Sequence, residues 1–135
     1  MKSLDSWAGR TFEHLEELSS PEFQRDQWIL GKNQNVVASF DECVIGLLDD
    51  RQFEGFVEAG YQAGRLDAPK KSELLEFARR LRSFAEEKWD EPDTMRVDKR
   101  VLADPQWPEI VGQAARARDT IARAFPEAPF RKLEW

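Results

Sequence analysis

The apolar spacing between Ser72 and Trp89 constrains this chain more than any other feature. Leu74, Phe77, Ala78, Leu81, Phe84, Ala85 and Trp89 recur at the i, i+3, i+4, i+7 intervals of one helix face. A pattern of that period cannot be laid down as a strand, whose side chains alternate every second residue. It predicts an amphipathic helix over 72–89 that serves as the central core helix and is broken by Asp90-Glu91-Pro92-Asp93. One apolar face needs partners, and the rest of the chain supplies matching ones.

Leu4, Trp7, Thr11, Leu15 and Leu18, widened by Ala8 and Phe12, predict a first helix ending near Ser19, with an acidic opposite face. Ser20-Pro21 places a capping hydroxyl before a proline at the first helical position, and Gly31 supplies a left-handed stop after Trp28-Ile29-Leu30. Lys32 to Asn35 reads as a polar loop and Val36-Val37-Ala38 as a brief extended stretch. Ser39-Phe40-Asp41-Glu42 has the form of a capping box opening a helix to about Leu48. Asp49-Asp50 is placed to cap the next helix, which carries Phe53, Phe56, Val57 and Tyr61 and stops near Gly64. After the central helix, a loop of about a dozen residues holds Val97, Val101 and Leu102; a connection of that length is often functional unless part of it is a further helical turn. Pro108 opens a last helix burying Ile110, Val111, Ala114, Ile121 and Phe125. The expectation is an all-α, single-domain bundle of about six helices spanning 1–135, with a tail at 126–135 whose two aromatics dock on the body.

Charge is distributed unevenly over that frame. Residues 1–60 carry twelve Asp and Glu against five Lys and Arg, whereas residues 61–135 carry fourteen against fifteen. The formal net charge of −6 argues against nucleic acid as a ligand, since phosphate binding depends on cationic side chains. The basic residues of the central helix interleave with Glu73, Glu76, Glu86 and Glu87, as on a solvated, ion-paired face. No apolar run approaches the length of a bilayer span and the N-terminal stretch has no secretory pattern, so a cytoplasmic location is expected.

The chemical equipment is sparse. His14 is the only histidine and Cys43 the only cysteine, which leaves one conceivable Cys-His pair that nothing in the sequence connects. His14 is expected on the acidic outer face of the first helix and Cys43 in an apolar stretch, buried and inert. Neither paired Glu-x-x-His units nor a zinc-type cluster of His and Cys is present, so no metal or cofactor is expected. The glycine spacing of Gly55 to Tyr61 lacks the Lys and Ser/Thr of a phosphate loop. By elimination the chain reads as a binding protein and not an enzyme. Five tryptophans in 135 residues favour a hot-spot surface, with Trp28 and Trp135 expected to be exposed and the others to pack the domain.

Asp26-Gln27-Trp28-Ile29-Leu30-Gly31, followed by Ser39-Phe40-Asp41-Glu42, Leu47-Leu48-Asp49-Asp50 and Asp104-Pro105-Gln106-Trp107, resembles the small acidic immunity proteins of bacterial toxin systems, including those of contact-dependent growth inhibition. The resemblance implies binding to a cognate toxin domain, commonly a cationic nuclease, as a monomer or weak homodimer. Asp41, Glu42, Asp49, Asp50, Glu54 and Glu58 would form the negative patch and Trp28 an aromatic anchor; for the first four, helix capping is the competing reading. A different class of function, a helical scaffold or regulatory subunit that self-associates through an apolar groove, is the alternative.

Overall fold

In the computed structural model, residues 3–35, 38–90, 97–131, 133 and 135 are described, and all regular structure among them is helical. Seven α-helices follow in order: α1 Leu4–Leu18, α2 Pro21–Phe23, α3 Phe40–Ile45, α4 Phe53–Gln62, α5 Ala68–Asp90, α6 Val97–Ala103 and α7 Trp107–Ala124. Two of them run on as π-helical turns, Gln24–Ile29 after α2 and Gly46–Asp50 after α3. The extended stretch expected at Val36-Val37 lies outside the described residues.

Local chemistry sets the boundaries. The hydroxyls of Ser3, Ser20 and Ser39 accept from the backbone N–H of Ser6, Phe23 and Glu42, each satisfying an orphan donor of a first helical turn. Asp67 does the same for Lys70 ahead of Pro69, so α5 begins a turn before Ser72. Gly31 and Gly64 adopt positive φ just beyond their helices. Asp49 and Asp50 do not cap α4: both belong to the π-helical turn, and α4 starts after Gln52, whose φ of 50° makes the corner. The long connection after α5 contains a seventh helix, α6, because Val101 is drawn fully into the core.

α1 lies against α7, and α5 against both α4 and α7. Their facing stripes merge into one continuous buried cluster. At its centre Trp28, Phe40, Phe84 and Trp107 form an aromatic group, with Trp107 stacked on Phe84 at 5.6 Å and Phe40 edge-on to Trp107 at 5.7 Å. Gln24, fully buried, makes this centre specific: its amide N–H groups donate to the Glu17 and Leu18 carbonyls, both at 2.9 Å, and its carbonyl accepts from the Trp107 indole at 2.9 Å. One side chain thereby satisfies two carbonyls at the end of α1 and the only donor of a core tryptophan.

A second buried polar group closes the other end. The Lys88 ammonium meets the Asp104 carboxylate at 2.5 Å, both side chains at most one-tenth exposed. Arg100 donates to the Lys88 carbonyl at 2.6 Å, and Asp98 accepts from the Phe40 N–H at 2.8 Å. These bonds tie α6 to α3 and α5. The tail docks as expected, with Phe130 against Phe12 at 4.5 Å and Trp135 edge-on to Phe23.

Candidate interaction surface

Of the two tryptophans expected to be exposed, Trp135 is and Trp28 is not. Trp28 is 1% exposed, so it belongs to the core and is not available as an anchor. Trp89, assigned above to the core stripe, is 41% exposed. The cause is helical phase. After Ala85 the seam of α5 passes to Lys88, which is buried and whose ammonium lies over the Phe84 ring, 5.4 Å from its centroid, and reaches Asp104. Trp89 is then turned outward. Trp135 is exposed as expected, while its indole N–H donates to Asp26 at 3.1 Å.

Trp89 emerges beside α3. Its indole N–H donates to Asp41 Oδ1 at 2.5 Å, and it shares with Ile45, itself 42% exposed, a shallow cleft completed by Val44, Leu48, Asp49, Arg82, Ala85 and Glu86. At about 40 Å³ the cleft has room for a water or a methyl group and not for a substrate. What it presents is two exposed apolar side chains beside the carboxylates of Asp49 and Glu86 and the guanidinium of Arg82. Glu42 and Asp50 are exposed and form no ion pair among the described residues.

The other acids of the expected patch are partnered. One Arg82 nitrogen reaches both carboxylate oxygens of Glu54, at 3.1 and 3.0 Å, and the other lies 3.7 Å from Asp49. Lys71 sits 2.7 Å from Glu58 and, with Gln62, holds its carboxyl below the usual range. Elsewhere Arg65 approaches Asp5 and Arg131 approaches Glu13. Much of the front half's acidity therefore meets bases of the second half within the fold. None of Asp41, Glu42, Asp49 and Asp50 caps a helix through its side chain: Asp41 holds Trp89, Asp49 faces Arg82, and Glu42 forms no bond back to Ser39 among the described residues.

His14 and Cys43, which nothing in the sequence connects, lie together. Their ligating atoms and a carboxylate oxygen of Glu17 all fall within 4.8 Å of one another, so a cluster of metal-ligating side chains exists where none was expected. His14 is half-buried and not on an open acidic face; burial, then the charge of Arg51, lower its pKa to about 4 against an opposing effect of Asp50. Burial, and next the Glu17 carboxylate, push the Cys43 thiol well up. Burial also raises Glu17, opposed by its hydrogen bond with Cys43.

Comparison with protein-family models, with curated proteins and with solved structures finds no match.

Proposed function

We propose that this chain binds and neutralises a basic protein partner, a toxin domain of the kind the immunity-protein resemblance implies, through the face formed by α3, its π-helical turn and the end of α5. The observation that carries this reading is the juxtaposition of exposed Trp89 and Ile45 with Asp41 and Asp49, with exposed Glu42 one turn before Ile45 on the same helix and Asp50 toward His14 at the edge of the face. Aromatic anchors inside a polar rim are where binding energy concentrates, and carboxylates around them steer a cationic partner while excluding acidic ones. Trp89 takes the place given above to Trp28. Glu54 and Glu58 are secondary, because a partner must first compete with Arg82 and Lys71. Such exposed ion pairs are weak, so a partner displaces them readily.

The test is co-purification of the tagged protein with the product of the adjacent upstream reading frame, at low and high salt. A stoichiometric complex that weakens as salt rises, and weakens by roughly a hundredfold or more when Asp41, Glu42, Asp49 and Asp50 are reversed to Lys, supports the reading. Unchanged affinity and protection in the reversed variant sink it. A concentration-dependent homodimer disrupted by Trp89→Ala, with no basic partner, transfers the same face to self-association.

A further inference from the structure

We propose that His14 and Glu17 of α1, together with Cys43 of α3, form a binding site for a transition-metal dication of the zinc type, and that the bound ion clamps α1 to α3. The chain has one histidine and one cysteine, and the fold brings both to a single point beside a carboxylate. His14 and Glu17 stand three residues apart on one helix and so share a face. Cys43 comes from the facing helix, with its sulfur 3.4 Å from the His14 carbonyl oxygen.

An imidazole nitrogen, a thiolate and a carboxylate are the ligands zinc takes, at about 2.0–2.3 Å. Those lengths put neighbouring donors of a tetrahedron roughly 3.3–3.7 Å apart, so a pair at the 4.8 Å limit must close by about 1 Å. Cys43 is buried in the core, so the closure falls to the half-buried His14 and Glu17 side chains. His14 Nδ1 is buried and has no hydrogen-bond partner, an arrangement that a folded protein rarely leaves uncompensated. Gly46 is part of the site as well. A Cβ at that position would stand 2.5 Å from His14 Cε1, so any side chain there would push the ring out of place.

On binding, the Cys43 thiol releases its proton to solvent and the sulfur's electron pair goes to the metal. Thiolate and carboxylate together then match the two charges of the ion, which leaves the site neutral. Water occupies the fourth position from the side on which His14 and Glu17 are open to solvent.

Cobalt(II) is the probe, because a tetrahedral cobalt thiolate absorbs strongly in the near ultraviolet and visible, unlike the hydrated ion. Adding Co²⁺ to chelator-stripped protein is expected to produce both bands at one equivalent and to raise the Tm, with Zn²⁺ bleaching the bands by displacement. Cys43→Ser should abolish the ultraviolet band, and Glu17→Gln should weaken Co²⁺ binding at least tenfold while leaving the circular dichroism unchanged. No absorbance change in the wild-type chain at excess Co²⁺ overturns the proposal. So does wild-type affinity in Glu17→Gln, which keeps the test sharp should Cys43→Ser fail to fold.

Discussion

The indole N–H of Trp89 donates to Asp41 Oδ1 across the groove between α5 and α3, at 2.5 Å. That bond fixes the orientation of an exposed aromatic ring and of an acid at the start of α3 together, so the proposed face is organised before any partner arrives. Trp89→Phe keeps a ring but loses the bond. It should cost under about 1 kcal/mol of stability in urea unfolding, since the site is open to water, while weakening partner binding severalfold. A stability loss as large as that of a core substitution would show that Trp89 is structural.

Arg82 neutralises Glu54 and Asp49 beside that face. Arg82→Ala should change stability by less than about 1 kcal/mol and speed association with a basic partner at low salt. Stopped-flow association rates at two ionic strengths check this, and a slower rate would mean that Arg82 itself touches the partner.

The Lys88–Asp104 pair is different, because both partners are enclosed. Asp104→Asn removes a carboxylate partner of an enclosed ammonium and should cost up to about 3–5 kcal/mol, whereas an apolar pair of similar volume at both positions should be far closer to neutral. Acid acts on the same pair. Burial alone would raise the Asp104 pKa, but the hydrogen bonds from Lys88 and from the Gln106 N–H outweigh it and hold the carboxyl below its ordinary 3.8. The contribution is therefore complete above that value and disappears as pH falls through the lower folded one. Urea midpoints measured downward from pH 5 should fall less steeply in Asp104→Asn than in the wild type.

Gln24 holds three partners, so Gln24→Leu takes their side-chain partner from the Trp107 indole N–H and the Leu18 carbonyl, while the Glu17 carbonyl keeps the Ser20 N–H. A loss of about 2–4 kcal/mol is expected by chemical denaturation. A loss below 1 kcal/mol would mean that water replaces the amide.

Asp26 anchors the tail by accepting from Trp135, and the Trp135 bond, helped by Lys32 and Arg25, keeps its pKa below the usual value against the effect of burial. Asp26→Ala should free the last residues. Carboxypeptidase should then remove them faster, and Trp135 fluorescence should shift to the red, at neutral pH. The wild type should show the same shift only as pH drops beneath the ordinary Asp range. Identical digestion of both proteins would contradict the anchoring role.

The helices were legible where one physical signal acts alone. The stripe of α5, the hydroxyl caps at Ser20 and Ser39, and the glycines that end α4 and the turn after α2 each depend on a few adjacent residues. Charged residues that turned out to be buried were not legible. Lys88, Asp98, Arg100 and Asp104 have the composition of a surface, and only tertiary pairing draws them in. The exchange of Trp28 for Trp89 has the same origin, since a periodic pattern names two adjacent candidates for the seam and cannot tell that a lysine takes it. Likewise the meeting of His14 with Cys43 depends on how α1 lies on α3, which no local pattern encodes. The partners of Glu58, Glu54 and Asp49 were hidden for the same reason: Lys71 and Arg82 reach them only because of how α5 packs.

The π-helical turn at Gly46–Asp50 carries one residue more than an α-helical turn, closed by the Arg51 N–H on the Gly46 carbonyl at 2.8 Å. The capped start of α3 and the corner at Gln52 fix its two ends, so the extra residue is absorbed in the direction in which Asp49 and Asp50 point. Removing one residue would swing them by about 100° around the helix axis. The length of this turn, and not only the identity of its side chains, therefore sets where the two carboxylates stand relative to Trp89 and Ile45.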